Sequence, residues 1–82
     1  MRTRLDNDFR DLTVVAITAL RKALDDGAAK HPAGDWREQS RVEQIEHLEA
    51  HLEKLLRGET AEDHLAHLIC RAVILRALME DD

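Results

Sequence analysis

The sequence predicts an all-α protein of three helices, the second and third forming a helical hairpin. Three observations carry that expectation. Apolar residues recur at spacings of three and four through three separate stretches. The chain of 82 residues has one proline and three glycines, and these cluster at two places where helices would end. β-Branched residues are few and the aromatics are Phe9 and Trp36 alone, so a sheet built on large side chains is not expected.

Length and charge set wider limits. Eighty-two residues suffice for one domain over 1–82 and not for two. A chain this short buries only roughly 60–65% of its unfolded surface, so assembly into a helical-bundle homo-oligomer is expected. The net charge of −5 disfavours DNA or RNA as a partner, since both need a positive surface. A nucleotide remains possible where a metal ion or a local basic cluster offsets phosphate charge. Cys70 is the single cysteine, which excludes an intrachain disulfide and points to a reducing compartment. The N-terminal MRTRLDNDFR lacks the apolar core of a signal peptide. The longest charge-free run, Leu12 to Leu20, is too short to span a bilayer. A soluble cytoplasmic protein with no membrane partner is the expectation.

Helix one is predicted from Thr3 to Asp26. Leu5, Phe9, Leu12, Ala16, Ala19 and Ala23 form its stripe, and Asp25-Asp26-Gly27 reads as a stop with Gly27 at positive φ. Val14, Val15 and Ile17 make its middle apolar nearly all round, the pattern of a helix buried on more than one side. Residues 27–39 form a long connector in which Pro32 and Gly34 break the helix. Trp36 there either plugs one end of the bundle or, with Asp35 and Arg37, closes over a ligand by stacking and anion pairing.

Helix two opens with a capping box, Ser40 to Glu43. Val42, Ile45, Leu48, Leu52, Leu55 and Leu56 make its stripe, and Gly58 is its predicted C-terminal cap. Helix three is predicted to start just after Thr60 across a two-residue link, with Glu62 and Asp63 in its first turn. Its main stripe is Leu65, Leu68, Ile69, Ala72, Leu75 and Met79. Cys70, Ile74 and Leu78 form a second stripe, read as an outer face for a subunit contact alongside helix one. The tail Glu80-Asp81-Asp82 is expected to fray.

The hairpin concentrates the chemistry. Four of the five histidines lie between Glu43 and Arg71: His47 and His51 on one helix, His64 and His67 on the next. His47 and His51 share an i, i+4 spacing that can place two imidazoles on one metal, and His64 and His67 can converge at i, i+3. Antiparallel pairing brings His51 toward His64 or His67. Histidines and carboxylates on a polar flank are also ordinary solvated surface. The run His47-Leu48-Glu49-Ala50-His51 is not the HExxH zinc pattern, and no Glu-x-x-His pair, phosphate loop or nucleophile setting is present.

The succession GAAKHPAGDWRE, AHLEKLLRGE and EDHLAHLICRAVIL resembles the small phage and bacterial dATP/dGTP diphosphohydrolase-like family over about residues 12–78. Gly27, Ala28, Lys30, Trp36, Arg37, His51, Leu52, Gly58, Glu59, Asp63, His64, Leu65, Ala66 and His67 carry the match. The sequence departs at His31, where the family often has Tyr, at Ala50, where it often has Arg, and in a shorter link between helices two and three. The resemblance implies kinship with the all-α nucleotide pyrophosphohydrolases, metal-dependent helical oligomers of the bacterial or phage-infected cell. Their activity splits a nucleoside triphosphate into monophosphate and pyrophosphate. It implies Mg²⁺ or Mn²⁺ as cofactor, held by Glu59, Glu62 and Asp63 with Glu46 or Glu49. His51, His64 and His67 are implied as catalytic residues, and Lys30, Trp36 and Arg37 as substrate-binding ones. The Glu-x-x-Glu half of the related enzymes' metal signature is matched by Glu43–Glu46 and Glu46–Glu49, while Leu65 to Leu78 holds no carboxylate for the second half. The leading expectation is a protein that hydrolyses or binds a purine deoxynucleoside triphosphate. The alternative is a non-catalytic helical module of phage type that sequesters a nucleotide or binds a host protein.

Overall fold

A computed structural model describes residues 4–30 and 34–80. The predicted start at Thr3, the side chain of Leu5, His31, Pro32 and the Asp81-Asp82 tail lie outside the described residues. Among those described, the chain forms three α-helices, α1 (Arg4–Ala28), α2 (Arg41–Leu56) and α3 (His64–Glu80), with one short 3-10 turn, Asp35–Glu38, and no strand. The all-helical class and the number of helices are as predicted. Two boundaries are not.

The first concerns α1, which runs through Gly27 to Ala28 without a positive φ. Glycine inside a helix costs only roughly 1 kcal/mol relative to alanine, so it does not oblige the helix to stop. The packing of Ala19, Leu20 and Ala23 against α3 holds this end of α1 in place. The left-handed residue of the connector is Gly34, φ 82°, immediately before the 3-10 turn.

The second concerns α3, which begins at His64 rather than after Thr60. Asp63 is the cap: its Oδ1 accepts from the Ala66 backbone N–H at 3.0 Å. A carboxylate is the stronger acceptor at the positive end of a helix, and this one also meets Lys22 Nζ at 3.0 Å. The link is therefore residues 57–63 and not two residues. Its first part is a Schellman cap, in which Gly58 N–H donates to Leu55 O and Glu59 N–H to Lys54 O, both at 3.0 Å. Gly58, φ 77°, is the C-terminal cap that the sequence predicts. Ser40 caps α2 as expected, accepting from Glu43 N–H at 3.1 Å. The Glu43 carboxylate meets the Ser40 hydroxyl.

Side chains of α2 and α3 pair as His51 with His64 and Gln44 with Arg71, a register that falls on one helix as it rises on the other, so the hairpin is antiparallel. Helix α3 is the central element and packs against both α2 and α1. Its buried residues Ala66 and Cys70 meet Ala23, with Ala19, Leu20 and Ile74 around them. Small side chains on both helices let the two axes approach closely. This corrects the predicted outer face of helix three: Cys70 and Ile74 belong to the chain's own core. Leu65 and Met79, assigned to the main stripe, are 54% and 47% exposed. A helix apolar on nearly every side does not reveal by period which side faces inward, and the alanines of α1 select the Ala66–Cys70–Ile74 row.

The N-terminal half of α1 extends past this core. Phe9, Leu12, Val14, Val15 and Ile17 are each more than half exposed. The radius of gyration, 14.5 Å, exceeds the roughly 12 Å of a compact chain this long. Among the described residues, no helix is long and apolar enough to cross a membrane.

The two glycine settings separate experimentally. A Cβ at Gly27 meets nothing within 4 Å and the backbone is helical, so Gly27→Ala should stabilise the protein by about 0.5–1 kcal/mol. Gly58→Ala also meets open space but is forced to positive φ, and should destabilise by about 1 kcal/mol. Thermal unfolding would show opposite shifts in Tm; a loss of stability at Gly27→Ala would contradict the helix end described.

Candidate functional site

The C-terminal turns of α1, the 3-10 turn and the facing sides of α2 and α3 enclose a cleft of about 480 Å³. Each wall arises from a local feature already described. Helix α1 carries Asp26 to the cleft, and the turn after it, in which Lys30 N–H donates to Gly27 O at 2.9 Å, carries Lys30. Left-handed Gly34 starts the 3-10 turn that brings Asp35 and Trp36 to it. The α2–α3 hairpin supplies His51, Glu62, His67 and Arg71.

Behind the cleft lies His64, whose side chain is fully buried. Both of its nitrogens are engaged. Nε2 lies 3.2 Å from Glu59 Oε1, and Nδ1 lies 2.9 Å from His51 Nδ1 and 3.3 Å from Glu62 Oε1. Glu59 follows Gly58 in the Schellman cap, so the cap that ends α2 also presents this carboxylate. A carboxylate can only accept, so His64 Nε2–H donates to Glu59. The other nitrogen, Nδ1, shares one proton with His51 Nδ1 and also faces the Glu62 carboxylate, so His64 lies between two carboxylates and a second imidazole. Burial lowers the His51 pKa, with the charge of neighbouring His67 as the next cause, and Glu62 opposing both.

The three rings form one cluster: His51 to His64 and His51 to His67 are each 5.2 Å between centroids. Ligand atoms of His51, Glu62 and His67 all lie within 4.8 Å of one another, the one such trio of potential metal ligands among the described residues. His67 Nε2 is 3.4 Å from Asp26 Oδ2, tying α3 to α1 beside this group. Two imidazoles and a carboxylate with room for further ligands suit a first-row transition ion, whereas Mg²⁺ favours oxygen donors throughout.

Of the residues singled out from sequence, His51, His67, Glu62, Lys30 and Trp36 line the cleft. His64 stands behind them. Glu59 serves His64. Asp63 caps α3 and pairs with Lys22, and the Ala66 N–H and Lys22 hold its pKa below the usual carboxylate range. Glu46 and Glu49 are exposed on α2 and do not line the cleft. Arg37 lies with its guanidinium carbon 4.6 Å from the Trp36 ring centroid, stacked on the indole. The free Cys70 thiol is buried, which raises its pKa.

Sequence reasoning missed Asp26, Gln39, Gln44 and Arg71. Asp26 read only as part of a helix stop. Arg71 Nη1 donates to Gln39 Oε1 at 3.0 Å and to Gln44 Oε1 at 3.1 Å, while Gln44 Nε2 donates to Gln39 Oε1. One signal was available: Arg71 and Arg76 are the only formal charges between Leu65 and Leu78.

Proton NMR titration of the imidazoles should place His51 below the ordinary histidine value of about 6.5. His67→Ala should move it part of the way back. Because the folded state disfavours the proton, His51 adds stability that is complete above about pH 6.5 and lost as pH falls through its lowered pKa. A His51 midpoint at or above 6.5 would contradict this environment.

Comparison with curated proteins and with solved structures gave no match. A family model described as dATP/dGTP diphosphohydrolase, N-terminal, matches residues 6–82, nearly the whole sequence, and the chain therefore belongs to that family.

Proposed function

We propose that the cleft binds a purine deoxynucleoside triphosphate and hydrolyses it to the monophosphate and pyrophosphate. The convergence of His51, Glu62 and His67 in a cleft shared with Lys30 and Trp36 carries the reading. Family membership supports the substrate class.

In this reading His51, Glu62 and His67 hold a divalent cation, and the two-imidazole donor set favours Mn²⁺ over Mg²⁺. Such an ion, when bound, neutralises phosphate charge and makes a water nucleophilic near neutral pH. The rest falls to the chain itself. Glu59 and His64 fix the tautomer and ring orientation of His51, as outer carboxylates do for ligating imidazoles. The lowered pKa keeps His51 neutral and able to ligate at pH 7. Lys30 offsets charge on the phosphate tail. Trp36 offers one face to the base, while Arg37 covers the ring and holds it in place.

Purified protein given dATP or dGTP should release pyrophosphate faster with Mn²⁺ than with Mg²⁺. Glu62→Gln and His51→Ala should each cut the rate at least roughly tenfold. No pyrophosphate from any common deoxynucleotide with either metal would remove the enzymatic reading.

A second reading rests on one observation. Glu46 and Glu49 are exposed away from the cleft, leaving Glu62 as the one carboxylate in the ligand trio. A protein that sequesters the nucleotide needs no fuller carboxylate set. Calorimetric binding of dATP or dGTP without turnover would identify it.

We also propose that the chain assembles as a homo-oligomer through the N-terminal half of α1. Support comes from the exposed apolar groups there and the small intrachain core. Val15→Asp with Ile17→Asp should lower the mass seen by sedimentation to that of one chain; a wild-type protein already monomeric at micromolar concentration would refute the assembly.

A further inference from the structure

Arg71 stands out among the arginines whose contacts are described. Arg21, Arg57 and Arg76 are exposed, and each pairs with an acid four residues away on or beside its own helix. Arg71 is half-buried and lines the cleft, yet among the described residues no carboxylate pairs with it. Its partners are the side-chain oxygens of Gln39 and Gln44, both bonded to Nη1.

The support is itself well fixed. Gln44 has no exposed surface, and its amide nitrogen donates to Gln39 Oε1. The two glutamines thus form a closed neutral cradle that orients the guanidinium without cancelling its charge. An acidic residue in either place would make a stronger hydrogen bond and neutralise the arginine. With neutral partners, a full positive charge is kept at a partly desolvated position. That is unfavourable until an anion arrives. A guanidinium has five N–H donors, and the cradle uses those of one nitrogen.

The location defines the anion. Arg71 follows His67 by four residues on α3, so the two side chains are neighbours on one face, roughly 5–6 Å apart at Cβ. An oxyanion on Arg71 lies next to the His51–Glu62–His67 trio. Of the acids that share the cleft, Asp26 is engaged by His67 and Glu62 faces His51 and His64.

We propose that Arg71, held by Gln39 and Gln44, is the anchor for a phosphate group of a polyphosphate chain whose neighbouring phosphate sits at the His51–Glu62–His67 group. The inference rests on the nucleotide reading for its natural ligand, but its test does not.

Inorganic tripolyphosphate, without nucleotide or metal, is the probe. In wild-type protein labelled with ¹⁵N, tripolyphosphate should shift the Arg71 side-chain Nε–H resonance and leave that of Arg76 unmoved. Arg71→Gln should weaken tripolyphosphate binding by about tenfold or more, as for a hydrogen bond between charged groups, with Arg76→Gln as a neutral control. Arg71→Lys should restore only part of the affinity, since a point charge cannot replace the oriented fork. An unmoved Arg71 resonance in the wild type overturns the proposal whether or not the variants fold. So does equal affinity in folded Arg71→Gln and wild type. Arg71-dependent tripolyphosphate binding with no deoxynucleotide hydrolysis would leave the anchor standing and remove the enzyme; hydrolysis with no Arg71 dependence would do the reverse.

Discussion

The buried imidazole of His64 constrains more of this structure than any other single group. A ring with two polar atoms and no access to water needs a partner for each, and an orphaned one would cost about 1–3 kcal/mol. Glu59 and His51 supply those partners from opposite sides. Both must arrive in register. Glu59 does so because Gly58 takes a left-handed turn and closes the Schellman cap of α2. His64 does so because Asp63 starts α3 one residue earlier. His51 is thereby held by a neighbour that water cannot reach, which fixes the orientation of its ring. The same caps that end one helix and begin the next also position the hydrogen-bonded histidines of the cleft wall.

Helix α3 joins this polar cluster to the apolar core. Ala66, Cys70 and Ile74 face the alanines of α1, and the small side chains bring the helices close. The next residue round from each of the first two, His67 and Arg71, then lies on the cleft side. Packing and chemistry are thus coupled through a one-residue offset. Close contact between α1 and α3 also carries Asp26 to His67 and Lys22 to Asp63, contacts at partly exposed positions whose value lies more in orientation than in stability.

Polar groups in the cleft divide into two kinds. The histidine trio and its carboxylates form a network of mutual acceptors and donors in which every buried side-chain nitrogen and oxygen has a partner. Around Arg71 the hydrogen bonds are satisfied but the charge is not. Within one small cleft the acidic chain sets Lys30 and Arg71 beside Asp26, Asp35 and Glu62. The placement of each charge, rather than the sum, decides where in such a cleft an anion docks.

By itself the sequence determined the helical class, the number of helices, the caps at Ser40 and Gly58, and the approach of His51 to His64 or His67. These depend on local periodicity, on backbone preferences of single residues and on the register of two adjacent antiparallel helices, all readable within a few turns. Tertiary structure decided the rest. Helix α1 passes through Gly27 because contact with α3 outweighs a small local preference. Asp63 displaces Thr60 as cap because Lys22, forty-one residues away, favours its charge. The inward side of α3 was open to several readings until the alanines of α1 selected one. Arg71, Gln39 and Gln44 come from three separate segments, so no spacing along the chain could reveal that a neutral cradle surrounds a cation. Periodicity reports the face a helix buries; only the neighbouring helix decides which of its polar residues share a cleft.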